Sequence, residues 1–452
     1  MQAAGSPAAF FPSQAPTTTS AQPMKLLPAL ALTTSVSVCG QTTKQAVFDQ
    51  MDAHTATYGD IALKIWSYAE VGYQETKSSG LLQKTLADHG FKVEAGVAGI
   101  PTAFVASYGS SGPVIGLLGE FDALPGVAQQ AVPEKSPIEG QIAGHACGHH
   151  LYGTASVEAA IAIKDWLVAT DTPGTVRFFG TPAEEGGSGK VYMVRAGLFD
   201  DVDAVLRWHA GDRNTVTMGS TLANKSGKFR FYGVASHAAA APERGRSALD
   251  AVEAMDHMVN MMREHVPDST RIHYVITRGG EAPNVVPAFA EVYYYVRSPD
   301  RAIVMSVWDR VQKAADGAAL GTGTTTKTEI TGGAYDLLPN ETLGRIMQTN
   351  LEAVGGVTYD AKETAWAEEL QKTLPAGRKP TLNQASKIYP FDPTPHVGSA
   401  STDVGDVSWA VPTIGLGAAT WVPGTPAHSW QAVAAGGTSI GVKGMQVAAK
   451  TI

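Results

Sequence analysis

Cysteine is scarce in this chain: among 452 residues only Cys39 and Cys147 occur. One intramolecular disulfide is the most that could form. Oxidation of Cys147, which sits among histidines, would remove a metal donor, so no structural disulfide is expected. Charge is thin as well, at 17% of residues, and no basic run of five or more appears. With a formal net charge of -8, the chain is not expected to bind nucleic acid or an anionic membrane surface, which leaves small molecules as partners. No uninterrupted apolar stretch reaches the ~18 residues that a membrane span needs, so no transmembrane segment is expected.

The first forty residues also lack what a globular fold requires. Residues 1–23 carry no charged side chain and are rich in Ala, Pro, Ser, Thr and Gln, a composition that buries little. Met24-Lys25 then opens an apolar run, Leu26 to Val38, that ends at Cys39-Gly40. This pattern matches a secretory leader, with Cys39 as the candidate for lipidation, and predicts export to the periplasm; a disordered leader or a start at Met24 is the alternative. Residues 1–43 are accordingly set apart from the rest.

What remains is long enough for two domains, and 44% hydrophobic residues can fill more than one core. From Lys44 helical and strand patterns alternate. Ile61–Trp66, Leu81–His89 and Leu151–Ala169 have helical periodicity, while Val114–Gly119, Val176–Phe179 and Ala204–Trp208 are short apolar strands. The alternation predicts an α/β fold with a mostly parallel sheet. A different rhythm fills Leu222 to Thr331: strands at Phe229–Tyr232, Ile272–Ile276 and Ala290–Val296, with helices at Ser247–Glu264 and Arg301–Ala315. It predicts an inserted α+β domain over 222–331, which divides the main domain into 44–221 and 332–452. Residues 373–400, rich in Pro, Lys, Thr and Ser, are expected to form a long surface loop.

Polar clusters follow the predicted strands. Glu120-Phe121-Asp122 comes after one, Glu184-Glu185 after a second and His209 after a third. Ligands in open α/β sheets gather beyond the carboxyl ends of the strands, so the three clusters point to one crevice. Between them lies Gly144-His145-Ala146-Cys147-Gly148-His149-His150, which packs a thiol, three imidazoles and two glycines into seven positions. Thiolate and neutral imidazole suit a borderline-soft divalent ion such as zinc, and imidazole with carboxylate extends the range toward manganese. Cys147 and His149, two apart on a turn, can converge on one ion, whereas His145 and His150 read as structural. In Thr181-Pro182-Ala183-Glu184-Glu185-Gly186-Gly187 adjacent acids can divide the work, one binding an ion and the other accepting a proton. Lys190 after Gly189 suggests a phosphate loop, but Glu184 holds an essential glycine position and Val191 replaces the hydroxyl residue, which excludes it. His209 and His428 each sit near tryptophan, where a lone histidine is more often packed than metallated.

Together the segments Gly144–His150, Ala183–Gly187, Phe199–His209, Gly245–Val252, Ser401–Trp409 and Gly424–His428 resemble the M20 metallopeptidase and amidohydrolase family. The resemblance spans Lys44 to Ile452 in order and, within the family, is to the aminobenzoyl-glutamate utilisation B group, with Xaa-Arg dipeptidase-like proteins as neighbours. It implies a metallohydrolase catalytic domain that holds two divalent ions, zinc or manganese, and an inserted lid or dimerisation domain. By matched positions it implies Cys147, His149, Glu185, His209 and His428 as ligands, with Cys147 bridging where other branches use aspartate. Glu184 would be the general base and Asp122 would orient a ligand. In the insert, His237 would stabilise an oxyanion from a partner subunit, and Asn284 and Arg297 would bind substrate. His273 and His396 match no such position and read as structural. The implied reaction is hydrolysis of the amide of an N-acyl or N-aroyl amino acid such as p-aminobenzoyl-glutamate; a dipeptidase or a non-catalytic metal-binding protein is the alternative. The expected assembly is a homodimer or a hetero-oligomer with a related subunit. The location the family implies is cytoplasmic, against the export that the leader suggests.

Overall fold

In a computed structural model of the chain, residues 33–375, 377 and 379–452 are described. The leader expected at 1–43, with Cys39 as its candidate for lipidation, falls outside the described residues or their side chains. The first helix runs Thr33–Tyr68. No described helix is long and apolar enough to cross a membrane.

Two sheets organise the chain from Val47 onward. The larger has seven strands in the order Lys92–Ala95, Phe104–Tyr108, Thr175–Gly180, Val114–Gly119, Ala204–Gly211, Thr413–Ala419 and Thr215–Thr217. Its four central strands run parallel, and antiparallel pairings extend it at both edges. Successive strand residues point to opposite faces, yet Leu117 and Leu118 are both fully buried. Both faces are therefore covered, which is why Val114–Gly119 reads as a continuous apolar run rather than an alternating one. The helix His149–Thr170 lies against the sheet with its residues from His149 to Ile161 buried. Its alanines keep that approach close.

Register decides where the chemistry goes. Gly119 pairs with Gly180, Leu117 with Leu206 and Gly417 with His209. The carboxyl ends of the parallel strands therefore finish at one edge, and the Glu120, Glu184 and His209 segments leave from that edge together. Beneath it an aromatic stack fixes the strands: Phe104 lies 5.5 Å from Phe178 and 6.3 Å from Phe121, centroid to centroid.

The smaller sheet is antiparallel, ordered Arg271–Arg278, Phe289–Ser298, Ala223–Tyr232 and Thr325–Ala334. Helices Ala248–Met262 and Arg301–Thr322 cover one of its faces. Val252, Met255, Val307, Trp308 and Val311 meet Phe229, Phe231, Val292, Tyr294 and Val296 in a second core. Both helices are capped from their own sequence. The Ser247 hydroxyl accepts from the Asp250 amide at 3.1 Å, and the Asp300 carboxylate from the Ala302 amide at 2.6 Å. The expected loop at 373–400 contains a 3-10 turn, Leu382–Ser386, and a short strand, His396–Val397, that pairs in parallel with Gly219–Ser220.

A Cβ added at Gly180 would lie 2.1 Å from Cε1 of Phe104. That ring cannot withdraw from its stack, so Gly180→Ala is expected to destabilise the catalytic sheet by about 1–3 kcal/mol. Chemical denaturation measures it, and an unchanged midpoint would contradict the tight fit.

Candidate metal centre

The turn before the long helix is built to point Cys147 inward among the donors. Gly148 takes φ 75°, a left-handed conformation, and a Cβ there would lie 2.3 Å from the Ala210 Cβ. Only glycine allows the chain to reverse here and start the helix at His149. The amide of His428 donates to the Ala146 carbonyl at 3.0 Å, which ties a distant loop onto the same turn. His428 itself holds φ 59°, and Ala183, just before the paired glutamates, holds φ 59° as well. Left-handed non-glycine residues cost about 1–3 kcal/mol each and persist only where the surroundings enforce them. At Ala183 the enforcing group is Glu75, whose buried carboxylate accepts the Ala183 amide at 2.9 Å and the Thr102 hydroxyl at 3.0 Å. Burial first, and then the Asp122 charge, push the Glu75 pKa up to about 7.

These loops bring the expected donors together. The Cys147 Sγ stands 3.5 Å from Nε2 of His209 and 3.5 Å from Nε2 of His428. His428 Nε2 lies 3.6 Å from the Glu185 carboxylate. His149 presents Nδ1 to Asp122 at 2.8 Å and Nε2 to Glu120 at 3.0 Å. Three donor groups result, each with its ligand atoms within 4.8 Å of one another: Cys147, His149 and His209; Cys147, Glu185 and His428; and Glu120, His149 and Glu184. Cys147 belongs to two of them.

The His209 imidazole is set to offer a lone pair. His209 Nδ1 faces the Ala210 carbonyl at 2.9 Å, and a carbonyl can only accept, so the proton sits on Nδ1 and Nε2 is free. Burial lowers the His209 pKa to about 4, which keeps the ring neutral. Asp122 orients His149 in the same way, and its second oxygen accepts the Glu185 amide at 2.9 Å. Burial opposes a charge on His149, yet the Glu120 and Asp122 carboxylates hold its pKa well above the usual value. Burial pushes the Cys147 thiol up, and it pushes both Glu184 and Glu185 above the ordinary carboxylate range.

A divalent cation fits this donor set. The buried Glu185 Oε1 has no hydrogen-bond partner, and His149 Nε2, 3.0 Å from Glu120, makes no well-aligned hydrogen bond with it, an arrangement that is costly unless something else satisfies them. A coordinating cation would also offset the burial of a thiolate, since a ligating thiol is deprotonated outright.

Residues outside the expected set complete the site. Lys190 is fully buried, with Nζ 2.6 Å from Glu120 and 2.7 Å from Asp403. Its burial would lower its pKa, but the two carboxylates raise it above the ordinary lysine value and keep it charged. The lysine whose surroundings fail as a phosphate loop is thus the internal counter-ion of the crevice. His145 and His150 spend Nε2 on the carbonyls of Ile65 and Gly436, at 3.1 and 3.0 Å, which is the structural role expected of them. His396 is exposed, with Nδ1 3.3 Å from the Thr394 carbonyl.

The three insert residues are not gathered into the donor cluster. His237 is exposed, its Nδ1 accepts the amides of Ala239 and Ala240, and its backbone forms an isolated bridge with Val285, beside Asn284. The exposed Asn284 gives its carbonyl to the Ala238 amide at 3.0 Å. Arg297 is half-buried, 4.6 Å from the centroid of the Tyr295 ring. Burial raises the Tyr295 pKa, and the neighbouring Arg297 charge works against it.

A parallel sheet whose strand ends converge on two donor groups sharing the Cys147 sulfur fits a metal-dependent hydrolase. The peptidase dimerisation domain model matches residues 223–322. Over 432 residues the chain is 44% identical to a p-aminobenzoyl-glutamate hydrolase subunit of Escherichia coli (strain K12), covering 89% of each. It is 31% identical over 330 residues to the Xaa-Arg dipeptidase of Mus musculus, covering 69% of this chain and 72% of that one. A dinuclear metal-binding peptidase of Bacillus subtilis shares the fold, with a TM-score of 0.54 at 16% identity over 88% of this chain and 98% of that one. The chain belongs to the M20 family of metal-dependent peptidases and amidohydrolases.

Replacing Lys190 by methionine would leave Glu120 and Asp403 buried without their counter-ion. Lys190→Met is expected to cost about 3–5 kcal/mol of folding stability, read by chemical denaturation, with part recovered when Asp403→Asn is added. A single variant as stable as the parent would mean that the ion triple is not internal to the fold.

Proposed function

We propose that this protein hydrolyses the amide bond of N-acyl or N-aroyl amino acids, with p-aminobenzoyl-glutamate as the representative substrate. The observation that carries the proposal is the position of Cys147, common to two donor groups that also contain His149 and His209 on one side and Glu185 and His428 on the other. These five residues would hold a pair of divalent ions. Thiolate favours zinc by softness, and the surrounding carboxylates admit manganese. When bound, such ions polarise the scissile carbonyl and lower the pKa of water toward ~7.

The remaining roles belong to the chain. Glu184 accepts a proton from the attacking water and returns it to the departing amine; its burial beside Glu120 and Asp403 raises its proton affinity toward that of a working base. Asp122 fixes the His149 tautomer. Arg297 grips the substrate carboxylate as a fork, and Asn284 lies in the loop next to His237. His237, outside the donor groups of its own chain, stabilises the oxyanion of a partner's site, which makes an oligomer the working unit, as a homodimer or with a related subunit. The corresponding division is a catalytic domain of 44–221 and 332–452 and a lid or dimerisation domain of 222–331. No covalent enzyme intermediate is needed.

Release assays on the metal-loaded protein with p-aminobenzoyl-glutamate, acyl amino acids and dipeptides in parallel test this reading. Preferential release of p-aminobenzoate supports it; preference for dipeptides ending in arginine would instead favour the dipeptidase reading that the mouse relative suggests; no release from any would overturn both. Glu184→Gln is expected to keep its metal content by elemental analysis and to lose at least ~100-fold in kcat, and undiminished turnover would remove Glu184 from the base role. Arg297→Ala is expected to lower kcat/KM on substrates with a free carboxylate by roughly 10- to 100-fold. Equal losses on the corresponding carboxamides would count against the fork.

A further inference from the structure

The helix-free face of the four-stranded sheet carries groups that the reaction above does not use. In antiparallel register Arg271 stands opposite Arg297, and His273 opposite Tyr295. Directly opposed residues share a face, as do residues two apart on a strand. Both guanidiniums, the imidazole and the phenol therefore project from one surface, while Ile272, Tyr294 and Val296 between them are buried against the helices. Arg271, His273, Tyr295 and Arg297 line a single cavity of about 710 Å³, with Leu222 and the 397–399 segment on its other side. His273, which the sequence suggests is structural, is part of this wall.

The cavity is cationic and its charges are held in place. Arg271 donates to the carbonyls of Asp268 and Thr270, and Arg297 rests over the Tyr295 ring. Among the described residues the partners of both guanidiniums are thus carbonyls and an aromatic ring rather than carboxylates. Like charges directly opposite on a sheet repel. A ligand with two carboxylates relieves that repulsion, because each oxygen pair takes one guanidinium fork.

We infer that Arg271, with His273 beside it, forms a subsite for the side-chain carboxylate of an acidic amino acid, next to the Arg297 grip on the α-carboxylate. Aspartyl and glutamyl amides are then preferred over neutral ones. The inference rests on the hydrolase reading for the role of Arg297. The selecting residue, however, is on the insert and is separate from the metal donors.

Two assays on the metal-loaded, full-length protein and its Arg271→Gln variant test this. The first compares kcat/KM for p-aminobenzoyl-glutamate and p-aminobenzoyl-glutamine. The second compares the calorimetric Kd of free glutamate and free glutamine. The parent is expected to prefer the acid in both, and Arg271→Gln to shrink that preference by about 10- to 100-fold, with Arg271→Lys retaining part of it. A preference that is absent in the parent, or that survives in Arg271→Gln, overturns the subsite, as does a loss shared equally by the acid and the amide. If the parent prefers glutamate in binding and loses that preference on substitution but cleaves neither amide, the hydrolase reading fails and the subsite stands.

Discussion

Buried negative charge is the constraint around which this molecule is arranged. Glu75, Glu120, Asp122 and Asp403 are all buried at one edge of the parallel sheet, and Glu184 and Glu185 face them from the next loop. Taking so many carboxylates out of water is prohibitive without positive partners. Lys190 supplies one, placed between Glu120 and Asp403, and amide groups of Ala183 and Glu185 supply partial charge. The remainder falls to His149, whose ring is drawn toward protonation, and to cations that the neighbouring thiol and imidazoles can bind. The crevice is therefore suited to a divalent ion by its electrostatics as much as by its donor list.

The strained backbone has the same origin. The left-handed Ala183 and His428 flank the Glu184-Glu185 pair and the exposed imidazole, and each is fixed by a bond to a distant segment: the Ala183 amide to Glu75, the His428 amide to Ala146. Gly148 does for Cys147 what these residues do for their neighbours, but with no side-chain penalty. The donors are thus positioned by a framework rather than by one another, so a lost ligand need not collapse the site.

Local chemistry was legible in the sequence where spacing expressed it. The Cys147-Gly148-His149 turn, the Glu184-Glu185 pair and the polar residues after each strand all lie where a parallel sheet brings loops together, and the structure gathers all three. The Lys190–Asp403 contact, 213 residues apart in sequence, left no local signal, and neither did Glu75 beneath Ala183, 108 residues away. Strand Thr413–Ala419 was hidden because it is built from small residues; a Cβ at Gly415 would meet the Arg207 side chain at 2.7 Å, so the very feature that lets it sit beside Ala204–Gly211 removes the β-branched pattern. Thr325–Ala334 escaped notice for the opposite reason. It is an edge strand, mostly polar and half-exposed, and polar edges are how sheets avoid pairing with strangers.

The insert shows how one sheet can serve two masters. Its helix-covered face follows the alternation rule and forms an ordinary core, which is what made the α+β pattern readable. Its bare face breaks the rule that a sheet's second side is simply solvated: Arg271, His273, Tyr295 and Arg297 are aligned by register and line one cavity. Cationic side chains gather on the bare face of the insert, while carboxylates and metal-donor groups gather at the edge of the parallel sheet. On the proposed function, an anionic amino acid would meet the insert wall with its carboxylates and leave its amide oxygen, a neutral dipole, to cations held at the strand ends. Orientation of such a substrate would then follow from charge separation between the two sheets, with the sheet that carries no metal donors deciding which amides are presented for cleavage.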